Sequence, residues 1–326
     1  MYRSWLKPLL FRLDAEDAHH LGIGTLSLLE GALGLAKALR GKDDPALERT
    51  FFGVKFPNRI GLAAGLDKNA EALVGLFAMG FGFVEVGTVT PRPQPGNDRP
   101  RLFRVPEHGA LINRMGFNNA GAHAMASRLH ELPWRPAPVG VNIGKNKDTP
   151  NERAHEDYAE CARVLAALAD YLVVNLSSPN TPGLRALQEP EALRRILQAT
   201  RAEAGGKPVL LKIAPDLEDE AVDAAVDVAI AEGAAGIIAT NTTIKRPFIH
   251  PEAGGLSGKP LFHRSTQVLT RCRARLPAIG VGGVFGPDDV RAKLAAGASL
   301  VQIYSGLIYE GPGLVKRLVS ATAPQS

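Results

Sequence analysis

The residues best placed to do chemistry lie in Asn175-Leu-Ser-Ser-Pro-Asn-Thr-Pro-Gly-Leu-Arg185, where the apolar, β-rich run Tyr171-Leu-Val-Val-Asn-Leu176 ends abruptly in hydroxyls, amides and prolines. Pro179 and Pro182 fix φ and remove backbone donors, so Asn175, Ser177, Ser178, Asn180 and Thr181 are presented by a stiff loop. A second signal is Lys212 within Val209-Leu-Leu-Lys-Ile213: a cation pointing into a buried sheet interior is costly unless it meets an anion. The competing reading is a surface lysine that snorkels past apolar flanks. A third is Gly282-Gly283 and Ser305-Gly306, with Gly258 before them: small residues with free backbone N–H groups, of the kind that receive a phosphate. A phosphorylated cofactor is implied.

These groups need a frame that brings them together. Candidate strands are Ile60–Ala64, Phe83–Gly87, Val139–Ile143, Tyr171–Leu176, Pro208–Ile213, Gly236–Thr240, Ala278–Val281 and Leu300–Tyr304. Between them lie amphipathic helices, among them Ala70–Met79, Glu156–Ala169, Pro190–Ala204, Glu218–Glu232 and Pro287–Ala296. Eight βα units in about 280 residues are the arithmetic of a (β/α)8 TIM barrel. In that fold the active site lies at the C-terminal strand ends, and every candidate strand except the fifth, which carries Lys212, ends in polar or glycine residues. Any one such ending has a dull explanation, because Gly and Asn commonly terminate strands; together they do not. Phe51–Phe56 reads as a hairpin closing the barrel floor, and Arg101–Ile112 as a hairpin inserted after the second strand.

The totals narrow the function classes. The chain has 326 residues, 45% hydrophobic and 22% charged, which excludes wholesale disorder. Its two cysteines, Cys161 and Cys272, have no metal spacing, and no metal site is expected. A net charge of +5 suits an anionic substrate, membrane surface or nucleic acid, but no nucleic-acid signature accompanies it. Gly280–Gly286 has the wrong spacing for a dinucleotide fingerprint. Residues 1–42 read as two short helices around Gly22, apolar at Trp5, Leu6, Leu9, Leu10, Phe11 and Leu13 and again from Leu26 to Leu35, with basic borders. Glu30 and several glycines keep any apolar run below the length of about 20 residues that a spanning helix needs, so the segment is expected not to cross a bilayer. It is either an interfacial amphipathic pair or a hairpin packed on its own domain.

Gly61-Leu-Ala-Ala-Gly-Leu-Asp-Lys-Asn69, Glu85–Asn97, Asn113-Arg-Met-Gly-Phe-Asn118, Val141–Thr149 and Asn175–Arg185 closely resemble class 2 dihydroorotate dehydrogenase, the membrane-associated, quinone-reducing type, and the resemblance covers essentially the whole chain. It implies FMN as cofactor, (S)-dihydroorotate as substrate and orotate for pyrimidine synthesis as product. It assigns the cofactor to Ala64, Gly65, Leu66, Asp67, Lys68, Thr88, Asn142, Asn175, Lys212, Thr240, Gly258, Gly283, Tyr304 and Ser305, and the substrate to Lys68, Asn113, Arg114, Met115, Gly116, Phe117, Asn175, Asn180, Asn241 and Thr242. Lys68 suits the substrate carboxylate, and the asparagine amides suit a ring of alternating N–H and C=O groups.

By the same resemblance Ser178 is the catalytic base, with Ser177 structural and Thr181 or trapped water as a proton relay. His19, Arg104 and Tyr304 resemble residues lining a quinone channel. The implied organisation is a helical, membrane-associating quinone-channel extension over residues 1–44 and an FMN-binding catalytic barrel over 45–326. The implied location is peripheral, on the cytoplasmic face of the bacterial inner membrane, with no obligate protein partner. Rival readings are a class 1 dihydroorotate dehydrogenase or another FMN barrel such as a dihydrouridine synthase, disfavoured by Ser178 and the N-terminal helices. A membrane scaffold on an inactive barrel is disfavoured by Lys68, Ser178 and Lys212.

Overall fold

The computed structural model describes residues 2–273 and 275–323, leaving the last three positions of the expected barrel unit outside the described residues. An N-terminal turn leads into α1 (Lys7–Leu10), α2 (Ala15–Ser27) and α3 (Leu33–Arg40). The hairpin β1 (Arg49–Phe51) and β2 (Val54–Phe56) follows. Next come β3 (Ile60–Leu62), α4 (Leu73–Ala78), β4 (Phe83–Val89), β5 (Leu102–Val105), β6 (Ala110–Asn113) and α5 (Ala122–Glu131). The pattern then becomes regular: β7 (Val139–Ile143), α6 (Ala154–Leu165), β8 (Tyr171–Asn175), α7 (Pro190–Glu203), β9 (Val209–Ile213), α8 (Asp219–Ala231) and β10 (Gly236–Ala239). The chain finishes with β11 (Gly255–Gly258), α9 (Phe262–Cys272), β12 (Ala278–Val281), α10 (Pro287–Ala295), β13 (Leu300–Ile303), α11 (Ser305–Glu310) and α12 (Gly313–Ser320).

All eight expected strands form, and β3, β4, β7, β8, β9, β10, β12 and β13 close a parallel barrel in chain order. The period-two alternation of a strand divides each of them. Val84, Val86, Leu211, Ile213, Val301 and Ile303 face the helices, while Phe83, Tyr171, Leu210, Ile238, Ile279 and Leu300 fill the interior. The fit is tight: a Cβ on Gly61 would lie 2.3 Å from the Phe83 ring, and one on Gly140 would lie 2.1 Å from Tyr171, so small residues on adjacent strands make room for these rings. The β1–β2 hairpin closes the floor, with Phe56 edge-on to Phe83 at 5.3 Å.

The hairpin expected over Arg101–Ile112 forms as β5 and β6, but β11 adds antiparallel to β6 and makes a three-stranded sheet. Gly255-Leu-Ser-Gly258 carries too little side-chain pattern to announce itself as a strand. The N-terminal boundary also differs. The break lies at residues 11–14, where the Asp14 carboxylate accepts from the backbone N–H of Glu16 (2.9 Å) and Asp17 (3.3 Å) and so starts α2. Gly22 lies inside α2, where glycine is tolerated at a cost of about 1 kcal/mol relative to alanine.

A short 3-10 link (Leu28–Ala32) joins α2 to α3, and the helical stretch Ala15–Arg40 runs for 26 residues with an 18-residue window of mean hydropathy 1.2. As a whole it reaches the length and composition of a spanning helix, but Ala32 leaves the helical region (φ −130°, ψ 51°) where the link meets α3, so α2 and α3 remain two separate helices, each shorter than a span needs. The inner side of the stretch packs along the barrel. Ile23 and Ala36 are buried, a Cβ on Gly75 of α4 would lie 2.6 Å from the Leu26 carbonyl oxygen, and Arg40 donates to the carbonyls of Phe77 and Phe81 at 3.0 Å each. Farther along, Phe11 meets Tyr309 edge-on at 5.5 Å, and the Tyr2 hydroxyl donates to the Ile308 carbonyl at 2.6 Å.

Candidate active site

The alternation that buries apolar side chains at the barrel floor places polar ones at its top. Glu85 of β4 is fully buried and receives hydrogen bonds from Lys212 Nζ (3.3 Å), Asn142 Nδ2 (2.8 Å) and Gln302 Nε2 (2.6 Å), donors from three other strands. The anion that Lys212 requires is thus a carboxylate of the same chain, and the snorkelling alternative is excluded by its 4% exposure. Asn142 accepts in turn from Thr88 Oγ1 (2.5 Å) and Asn175 Nδ2 (3.0 Å). The result is a hydrogen-bonded floor for the cavity above it.

That cavity encloses about 1150 Å3, counting its open mouth, and lies at the C-terminal strand ends. Of the cofactor candidates, Ala64, Gly65, Lys68, Thr88, Asn175, Lys212, Thr240, Gly258, Gly283, Tyr304 and Ser305 line it. Asn142 sits just beneath, holding Thr88 and Asn175. Leu66 and Asp67 lie behind the lining, both buried; the Asp67 carboxylate accepts from the N–H groups of Glu71 (2.9 Å) and Ala72 (2.8 Å) and fixes the entry to α4. Gln302 lines the cavity unforeseen, and its Oε1 has no hydrogen-bond partner among the described residues.

Of the substrate candidates, Lys68, Asn113, Met115, Gly116, Phe117, Asn175, Asn180, Asn241 and Thr242 line the same cavity. Arg114 does not: its guanidinium turns outward to Glu252 (2.5 Å) and lies over the Phe103 ring at 4.7 Å. Ser178 lines the cavity, and its Oγ accepts from the Asn180 N–H at 3.2 Å. Ser177 is wholly buried beneath, bonded to Asn175 Oδ1 (3.0 Å) and Asn241 Nδ2 (3.0 Å). Arg185 holds the base of the loop, donating to the carbonyls of Ser177 (3.1 Å) and Thr242 (2.9 Å) and pairing with Asp216 at 2.8 Å. Thr181 is buried nearby, with no hydrogen bond to Ser178 among the described residues.

Lys68 is half-buried in the cavity wall; burial lowers its ammonium to about 8, and Glu16 leads the charges opposing that fall. Burial takes the His19 imidazole down to about 3, with Lys68 and His20 adding to the effect, so His19 is neutral at neutral pH. Burial pushes the Tyr304 hydroxyl up to about 12. His19 and Tyr304 share the main cavity. Arg104 lines a second, more open cavity with Phe11 and Ala15, donating to the Leu13 carbonyl at 2.8 Å, and Leu102 borders both spaces.

These residues fit FMN. Gly258 (φ 96°) and Gly283 (φ 77°) have backbone conformations that side chains rarely adopt, and a Cβ would lie 2.3 Å from the Gly109 carbonyl oxygen and 2.5 Å from Phe262 Cβ, respectively. Their backbone is thereby free to approach a phosphate closely. Lys212 and the unpaired Gln302 Oε1 offer a cation and an acceptor to a polar ring edge.

Residues 46–322 match the protein family described as dihydroorotate dehydrogenase. The chain is 57% identical to the dihydroorotate dehydrogenase (quinone) of Myxococcus xanthus, with 97% of this chain and 92% of that protein covered. It is 54% identical to the protein of the same name from Flavobacterium lutescens, with 98% and 95% covered. Among solved structures, the dihydroorotate dehydrogenase of Eimeria tenella in complex with ferulenol superposes with a TM-score of 0.82 at 39% identity, over 93% of this chain and 90% of that one. The ligand-free form of that enzyme gives a TM-score of 0.83 at 40% identity, over 92% and 93%. Strand-end chemistry, fold and similarity agree, and the chain belongs to the dihydroorotate dehydrogenase family, in its class 2 branch.

Proposed function

We propose that this protein oxidises (S)-dihydroorotate to orotate for pyrimidine synthesis, using FMN, and passes the electrons to a quinone. The observation that carries the reading is one cavity holding a glycine cradle, a buried Lys212–Glu85 pair, a ring of asparagine amides and a serine on a proline-stiffened loop. FMN bound here supplies two-electron acceptance from the substrate and delivery to the quinone. Lys212, Thr88, Asn175, Thr240, Gly258, Gly283 and Ser305 are the residues proposed to hold it, Asn142 acting from beneath. Lys68 meets the substrate carboxylate, and Asn113, Asn175, Asn180 and Asn241 address its ring N–H and C=O groups, helped by Thr242 and by the backbone of Arg114 to Phe117.

Ser178 takes the proton from the substrate carbon beside a ring carbonyl as a double bond forms to the adjacent carbon, which gives up the hydride. The Asn180 N–H that donates to Ser178 Oγ stabilises the oxygen as its own proton departs, and the loop excludes bulk water. The proton leaves by water or Thr181.

We further propose that residues 1–44 form the membrane-associating element and 45–326 the catalytic barrel. Trp5, Leu9, Leu21, Leu28 and Leu35 are each more than half exposed, and basic residues border them. This suits helices lying in an anionic membrane interface on the cytoplasmic face of a bacterial inner membrane. Quinone would enter beside α2, passing Arg104 and Leu102 toward neutral His19 and Tyr304. The test is anaerobic: dihydroorotate should discharge the flavin colour, and quinone should restore it. A colourless protein that takes up no FMN would sink the proposal.

A further inference from the structure

Glu16 belongs to the N-terminal extension, yet it is 2% exposed and its carboxylate is turned to Arg101 on the segment that leads into β5. It accepts from Arg101 Nη2 at 2.7 Å and from Arg101 Nε at 3.1 Å. The other arm of Arg101, Nη1, donates to the carbonyls of Pro95 and Asn97, each at 2.6 Å. Asn97 Nδ2 in turn donates to the carbonyls of Arg114 (2.9 Å) and Asn180 (3.1 Å). Asn180 completes the path, giving its N–H to Ser178 Oγ at 3.2 Å and its amide to Asn113 Oδ1 at 3.0 Å. Segments far apart in the chain are therefore joined from α2 to the proposed base by buried or half-buried hydrogen bonds.

From this geometry we propose that Glu16 is a positioning residue for the dihydroorotate half of the reaction, tying the seating of α2 on the barrel to the placement of the Ser178 loop. The inference rests on the proposed function and deepens it: α2 serves the substrate side as well as the quinone side. A buried ion pair is an effective coupling element, because separating the partners leaves each charge uncompensated. If α2 lifts, Arg101 loses its carboxylate and the Asn97 segment loses its anchor. The substrate site is then complete only when the helix that contacts the membrane is docked.

The electrostatics around Lys68 point the same way. Burial lowers its ammonium to about 8, and Glu16 is foremost among the charges that hold it protonated. The groups facing Lys68 are Glu16 and His19 from α2, Arg101 from the β5 approach, and Asp67 and Glu71 from its own loop. Those facing Glu16 are Arg99 at 3.2 Å, Arg101, His20 at 3.7 Å and Lys68. Neutralising Glu16 removes the leading support for the Lys68 charge and leaves Arg101 repelling it.

The experiment compares FMN-loaded full-length parent, Glu16→Gln and Asn97→Ala. Three readouts are taken: loss of flavin absorbance on anaerobic mixing with dihydroorotate, orotate affinity against pH, and recovery of absorbance on adding a short-chain soluble quinone. For Glu16→Gln the first should slow by about 10²-fold, as misplacement of a reacting group does. The alkaline loss of orotate affinity should begin at lower pH than in the parent, while recovery with quinone stays within about threefold. Asn97→Ala keeps the Glu16–Arg101 pair but cuts the link to Asn180; it should slow the first phase without moving the alkaline limb.

A Glu16→Gln protein with parental reduction rate and pH profile, impaired only in quinone recovery, would overturn the proposal and leave α2 a quinone-side anchor alone. If Glu16→Gln does not fold, Asn97→Ala decides, and an unchanged reduction rate overturns the coupling. A parent protein that keeps its colour with dihydroorotate would instead refute the proposed function.

Discussion

The barrel mouth and the N-terminal helices are built on opposite terms. At the mouth, Thr88, Glu85, Asn142, Asn175 and Lys212 are each no more than 5% exposed, and every one is hydrogen-bonded to another of the set. Such a network holds its groups in place before substrate arrives, so little reorganisation is needed during proton transfer. In the extension, Trp5 is 75% and Leu28 74% exposed. Apolar side chains so exposed, unpartnered among the described residues, suit a surface completed by something outside the chain. On the proposed function, the difference separates two tasks: rigid polar chemistry on dihydroorotate, and adaptable apolar contact with membrane and quinone. Glu16 and Arg101 mark where they meet.

The sharpest way to break this contrast is to disable one region and watch the other. Ser178→Ala should slow loss of flavin absorbance with dihydroorotate by 10²–10⁴-fold, roughly the worth of a positioned acid or base, with orotate affinity kept within a few-fold. Anaerobic stopped-flow at saturating substrate measures it; a rate within threefold of the parent would pass the role to water or Thr181. Glu85→Ala should cost roughly 3–5 kcal/mol of stability, because Lys212 is left as an unpaired buried cation. The Tm of the FMN-loaded protein reports it, and retention of full stability would mean that the polar floor is not a structural unit.

A milder test addresses the extension. Changing Trp5 and Leu28 together to Gln should weaken binding to anionic vesicles by tenfold or more, since each apolar side chain transferred from water contributes roughly 1.5–3 kcal/mol. The dihydroorotate phase should stay unchanged, because neither residue is buried against the barrel. Equal binding of variant and parent would place the membrane contact elsewhere. The smallest effect is on pH. Lys68 must be protonated to bind a carboxylate, and the bound anion raises its pKa. Orotate affinity should therefore be level below pH 8 and weaken as pH rises through about 8, by up to about tenfold per unit. A titration of affinity flat to pH 10 would remove Lys68 from carboxylate recognition.

Much of the barrel was legible in the sequence because its strands are short, apolar on both faces and bounded by glycine, proline or asparagine. The strand-end residues were legible because polar groups after such runs converge once a barrel is assumed. Glu85 escaped notice although it carries the signal that marked Lys212, a lone charge inside an apolar run, Phe83-Val-Glu-Val86. What joins the two is cross-barrel proximity, which no local pattern encodes. Gln302 was hidden in the same way between Val301 and Ile303. The pairing of Glu16 with Arg101, 85 positions away, could not be read from spacing. Arg104 was grouped with His19 and Tyr304, yet the cation–π contact with Phe11 at 4.7 Å draws it into the neighbouring space.

The central claim is that one cavity receives electrons from dihydroorotate and releases them to a quinone arriving beside α2. Its most direct measurement is an anaerobic cuvette holding the purified full-length protein. Stoichiometric dihydroorotate should abolish the visible flavin absorbance, NAD+ should leave it abolished, and a membrane quinone should restore it. Absorbance that survives dihydroorotate, or that returns with NAD+ and not with quinone, would contradict the account.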